Sequence, residues 1–208
     1  MQLTAIFETW HFGDGNYPPL QQNELVNLSF ELQPNSLSKC SPDIGRFEQI
    51  EDANYRFNGT VLKIYGDLPR HPLVIVQAGN FKFYMDSFSK EVSDLKEGDG
   101  CTGSGCLMLD YYIWVEFRET YRDTPNLLYP LRVTRIRSVK IPDEMVSRFG
   151  NTSSGPTSLC GPSYPPIAVT EVTRMTDAEE SWQFYLVDLD DSDIGGDPVP
   201  QTFGTSSV

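Results

Sequence analysis

Histidine, cysteine and positive charge are all scarce in this chain, and each scarcity removes a class of chemistry. His11 and His71 are the only two histidines in 208 residues. A histidine-centred acid–base mechanism has few places to live, and His11, between Trp10 and Phe12, suits packing better than proton transfer. Four cysteines, Cys40, Cys101, Cys106 and Cys160, are too few and too scattered for a disulfide framework, so free thiols are expected. TGSG separates Cys101 from Cys106, but a zinc knuckle needs a second ligand pair nearby and neither histidine is close. No metal and no cofactor are expected.

No run of eighteen apolar residues occurs, so no helical membrane span is encoded. The opening MQLTAIFETWHFGDG lacks the basic region, apolar stretch and small-residue site of an export signal. The expected location is therefore cytoplasmic, and the sequons at Asn27, Asn58 and Asn151 are treated as coincidence. Catalytic signatures are missing too: there is no G-x-S-x-G, H-E-x-x-H, Walker loop or G-x-G-x-x-G after a strand. GDGCTGSG is glycine-rich but precedes a strand, and so offers phosphate no helix N-terminus.

Acid is what the chain has in surplus. Net charge is −13, and it is uneven: residues 1–60 carry −5, residues 61–140 carry +1 and residues 141–208 carry −9. Such a protein is repelled by phosphate backbones and attracts basic partners.

Strand signals dominate. QLTAIFETW alternates, and ELVNLSFEL places Val26, Leu28, Phe30 and Leu32 on one apolar face. Residues 33–56 are polar and look irregular, with a short helical turn suggested near PDIGRFEQIEDA. Then come GTVLKIYG, PLVIVQAG, FKFYMDSF, GCLMLDYYIWVEF and YPLRVTRIRSVKI, five strands with short connections. A meander of this kind must close or be covered to protect its edges. The fold class is therefore all-β, a small OB-like barrel or bent antiparallel sheet with extra N- and C-terminal strands. The pattern resembles an OB barrel over residues 57–141, with the L-x-x-G-D turn at Leu95–Asp99 leading into a strand. Residues 1–56 should pack on that core. A Gly/Ser/Pro-rich loop should follow over 142–166, a hairpin over 167–190 and an acidic, polar tail over 191–208.

Two carboxylates interrupt the most apolar run. If 107–117 is one strand, Leu107, Leu109, Tyr111, Ile113, Val115 and Phe117 face the core, opposite Met108, Asp110, Tyr112, Trp114 and Glu116. Asp110 and Glu116 would then lie roughly 20 Å apart. A glycosidase pair needs about 5–9.5 Å, so these two cannot form one. What remains is a Tyr112–Trp114 face able to receive a partner side chain. In LRVTRIRSVK, strict alternation puts Arg135 and Arg137 on the apolar parity, which requires a bulge to turn them outward. Arg132, Arg135, Arg137 and Lys140 could then contact phosphate in an OB groove, or pair with acids of the same chain. DLDDSDIGGD starts like a calcium loop but has Asp193 where glycine is needed and Val199 where glutamate belongs.

The functional expectation is a non-catalytic acidic binding protein that neutralises a basic protein partner, most concretely a bacterial immunity or inhibitor protein facing a toxin. Asp188, Asp190, Asp191, Asp193, Tyr112 and Trp114 are its expected contact residues. The alternatives are an OB-like single-strand nucleic-acid binder using Arg132, Arg135, Arg137 and Lys140, masked by the acidic tail, and an enzyme with an unfamiliar carboxylate site.

Overall fold

The computed structural model describes residues 1–9, 18–42, 45–66, 73–86, 94–109, 123–140, 168–176 and 183–191. Among them are eleven strands and no helix: β1 (Gln2–Glu8), β2 (Leu25–Leu28), β3 (Phe30–Cys40), β4 (Arg46–Glu51), β5 (Asn54–Tyr65), β6 (Leu73–Ala78), β7 (Phe81–Asp86), β8 (Gly100–Leu109), β9 (Tyr129–Lys140), β10 (Ala168–Val172) and β11 (Gln183–Asp190). They run in the order β10-β9-β11-β1-β8-β3-β7-β6-β5-β4, with β2 also on β9, and a second pairing of β8 with β5 closes a five-stranded barrel.

The ring β5-β6-β7-β3-β8 has the neighbour relations of an OB barrel, including one parallel contact, β3 with β7. Its starting point differs. Counting from β5, the first four barrel strands follow in chain order and the fifth is β3, which precedes them all. This is a circularly permuted OB arrangement. The sequence pattern over 57–141 therefore finds four barrel strands correctly and assigns the fifth wrongly: β9 lies outside the barrel, paired with β11, β10 and β2.

The reason lies in residues 33–40, QPNSLSKC, which have no apolar alternation yet form most of β3. Backbone pairing with the glycine-rich β8 holds them, Leu37 opposite Gly103 and Gln33 opposite Cys106. A Cβ on Gly103 would fall 2.2 Å from the Ser36 carbonyl oxygen, and one on Gly105 would fall 2.3 Å from that of Gln33. The glycines let β3 coil tightly against β8, and the barrel closes there. The helical turn expected within 33–56 is likewise replaced where residues are described, since β4 and the start of β5 occupy 46–56.

Inside, Phe30, Phe57, Phe81 and Phe83 are buried with Val61, Val74, Val76, Leu107 and Leu109. Phe47 of β4 folds over them, stacked on Tyr55 at 4.5 Å. Leu107 and Leu109 face this interior, while Cys106 and Met108 face a second cluster with Ile6, Ala53, Val139, Phe184 and Leu186. The parity expected for the start of the 107–117 run is thus observed. Residues 110–117, with Asp110, Ile113, Val115 and Glu116, lie outside the described residues.

Val26, Leu28, Phe30 and Leu32 are all buried, as their alternation requires. The chain nonetheless changes partner at Ser29, leaving β9 for the barrel. The hairpin expected over 167–190 does not form, because β10 and β11 both pair with β9, one on each side. Cys40 and Cys101 are free thiols, as expected, but Cys106 is disulfide-bonded, with its partner outside the described residues. Cys101 and Cys106 occupy opposite faces of β8 and cannot share an ion.

Candidate functional site

The arginine parity in β9 demands a bulge, and one lies at Thr134. Asp188 of β11 stands opposite Arg135 while the next residue, Leu189, stands opposite Val133. Before the bulge, Leu131 and Val133 face the main core; after it, Ile136 does. Arg135 and Arg137 are thereby turned to the other face.

There Arg137 becomes the hub of a polar cluster. Its Nη2 donates to Asp188 Oδ1 at 2.8 Å and its Nη1 to Asp52 Oδ1 at 2.6 Å. Thr4 donates its hydroxyl to the same Asp188 oxygen at 2.7 Å, and Gln49 Nε2 donates to Thr4 Oγ1 at 3.1 Å. Gln49 also donates to the Asp52 carbonyl, and so closes the turn between β4 and β5, where Asp52 sits at φ 43. Beneath them the Tyr55 hydroxyl accepts from Thr4 N at 2.7 Å and donates to Thr4 O at 3.1 Å. Burial pushes the Tyr55 phenol up to about 12, against the lowering effect of its backbone bond at Thr4. Arg137 is only 15% exposed, and its Nε is buried without a hydrogen-bond partner. Burial works against its charge, but the Asp52 and Asp188 carboxylates together outweigh that and hold the guanidinium above its ordinary value. The cluster rivets the barrel's β4–β5 turn to β1, β9 and β11.

Asp188 is therefore an inward structural contact, and sequence reasoning alone offered it to a partner. Asp190 lies 4.0 Å from the Met1 amine, and Asp191, 44% exposed, is also ion-paired with that amine. Asp193, Tyr112 and Trp114 fall outside the described residues. Arg135 is paired with Glu171 at 2.9 Å, and Arg132 donates to the Asn23 carbonyl at 3.0 Å. Lys140 is exposed at the end of β9. The residues that sequence reading missed are Thr4, Gln49, Asp52 and Tyr55. Only the turn-forming EDAN at 51–54 hinted that one of them would occupy a special backbone position.

Chemically, the cluster binds charge to charge. Asp52 and Asp188 converge, but on a guanidinium that fills the space between them. Thr4 is buried and its hydroxyl donates to Asp188, and among the described residues no group of three metal-ligating side chains assembles. Other cations are engaged in the same way: Lys39 with Asp99, Lys63 with Asp123 at 3.0 Å, and Arg46 with Glu48 at 3.5 Å. Asp99 belongs to the L-x-x-G-D turn, where its carboxylate also accepts from Lys96 N at 2.8 Å and Gly98 adopts φ 87. Lys39 holds the Asp99 carboxyl below its ordinary value, and Asp123 holds the Lys63 amine above its own.

The face on which OB barrels bind strands is also engaged. Here it is the outer side of β6 and β7, and Leu127 packs there, fully buried, with Tyr65, Leu73, Ile75 and Tyr84. Comparison with family models, curated proteins and solved structures returns no match for this chain.

Proposed function

We propose that this chain is a non-catalytic acidic binding protein whose partner is a basic protein, an inhibitor or immunity protein being the most concrete form. One observation carries the reading. The cations Lys39, Lys63, Arg135 and Arg137 are spent on carboxylates of the same chain, while the chain as a whole keeps a charge of −13. Surplus negative charge on a rigid β scaffold steers a cationic partner and speeds its association. The single-strand nucleic-acid reading loses support on two counts. Its arginines lie outside the barrel and are engaged, and the barrel's strand-binding face is covered by Leu127. Cytoplasmic residence, expected from the N-terminal sequence, sits against the bonded Cys106, because disulfides persist in oxidising compartments. A partner met outside a reducing cytosol is the version that the sulfur chemistry favours.

The test measures association of the chain with poly-L-lysine and with a single-stranded oligonucleotide, at low and high salt. Poly-L-lysine is expected to bind at low salt. Changing Asp190, Asp191 and Asp193 to Asn should slow that association on the order of tenfold, and much less at high salt. Absence of salt-dependent association with the polycation, or tight binding of the oligonucleotide, would sink the proposal.

A further inference from the structure

Among the described residues β4, β10 and the short β2 end the sheet, and the outer edges of β4 and β10 are built differently. β4 has a register shift between Gln49 and Glu51, leaving Ile50 as the extra residue, and carries Arg46, Glu48 and Glu51. Bulges and charged side chains are how sheets blunt an edge against a stray strand. β10, AVTEV, has no such guard. Its ladder with β9 runs without a register shift from Ala168–Lys140 to Val172–Ile136. Val169 is 52% exposed, and its one charged side chain, Glu171, is already held by Arg135. Val172 packs on the main core and β9 is flanked by β11 behind, so the strand is fixed in place. Among the described residues no strand pairs with its other edge.

Resting on the reading above, we propose that the open edge of β10 is where the cationic partner adds an extended strand. Backbone pairing along such an edge supplies affinity, and alternate side chains supply specificity. Val169, Thr170 and Val172 are β-branched, the type that gains most from cross-strand neighbours. The occupant is a partner and not a second copy of the chain, because two molecules of −13 each repel one another whereas a lysine-rich strand is drawn in.

The test uses the full chain and two synthetic peptides of about seven residues, alternating valine with lysine or valine with glutamate, read by amide hydrogen exchange. The lysine peptide is expected to slow exchange along β10 about tenfold or more and leave β4 unchanged; the glutamate peptide should change neither. Val169→Lys, at an exposed position, should weaken lysine-peptide binding about tenfold, while Ile50→Lys on β4 should stay within about twofold. Binding of the lysine peptide without protection of β10, or with equal affinity for V169K, overturns the edge proposal and leaves the cationic-partner reading standing. So does failure of the lysine peptide to bind a chain that still binds poly-L-lysine. If neither cation binds, the underlying reading falls as well. Protection of β10 that grows with protein concentration in the absence of peptide identifies a second copy as the occupant and overturns the partner.

Discussion

Inside the barrel, aromatic rings meet one another: Phe57 and Phe83 edge to face at 5.2 Å, Phe47 and Phe81 tilted at 4.6 Å. Where the flanking strands β1, β9 and β11 join it, a small apolar cluster around Ile6, Met108 and Leu186 is supplemented by one guanidinium held between Asp52 and Asp188. The first region draws on burial of apolar area, which is non-directional and tolerates small shifts. The second adds donor and acceptor positions, which fix a register. The difference teaches where each kind of substitution should hurt.

The largest loss is expected inside the barrel. Phe83→Ala empties a fully buried site among the rings of Phe47, Phe57 and Phe81 and should cost about 3–5 kcal/mol in denaturant unfolding. Gly103→Ala tests the tight approach of β3 to β8. The new methyl would meet the Ser36 carbonyl oxygen at 2.2 Å and the Phe57 ring at 3.1 Å, so a loss of about 3 kcal/mol is expected by the same measurement.

Tyr55 spans both regions and should report alkaline pH. Its folded-state pKa, about 12, lies above the ordinary 10.0, so the fold favours the neutral phenol. That contribution is complete below pH 10 and is lost as pH rises from there to about 12, a fall of about 3 kcal/mol. Tyr55→Phe should flatten this part of the stability–pH curve, at a cost of about 1–2 kcal/mol at neutral pH for its two hydrogen bonds with Thr4.

The sharpest comparison is between neighbouring arginines. Arg137→Met strands two carboxylates at the junction, and should cost about 2 kcal/mol after allowance for the 48% exposure of Asp52. Arg135→Ala, removing an exposed pair with Glu171, should cost less than about 1 kcal/mol. Equal losses at the two positions would erase the distinction between clamp and surface pair.

Much of this is legible in the sequence. Alternation revealed the strands, and the parity of Arg135 and Arg137 against Leu131 and Val133 required the bulge found at Thr134. The identity of the fifth barrel strand was not legible, because QPNSLSKC is held by backbone bonds and its neighbour's glycines, neither of which leaves an apolar period. The clamp was half legible. Asp188 and the arginines stood out as charges, but Thr4, Gln49 and Asp52 join them only through strand order, across sequence separations of 184 between Thr4 and Asp188 and 85 between Arg137 and Asp52.

The permuted order of the barrel also bears on how the chain comes to be folded. β3 emerges from the ribosome long before β7 and β8, its ladder partners among the described residues, and β1 must wait for β8 and β11. Gln2 finally lies beside Asp190. The ladders of β1 and β3 cannot close until strands far along the chain have been synthesised, so loop closure over long stretches precedes the reward. Until those partners emerge, β1 and β3 have no ladder neighbour among the described strands and are open to wrong ones.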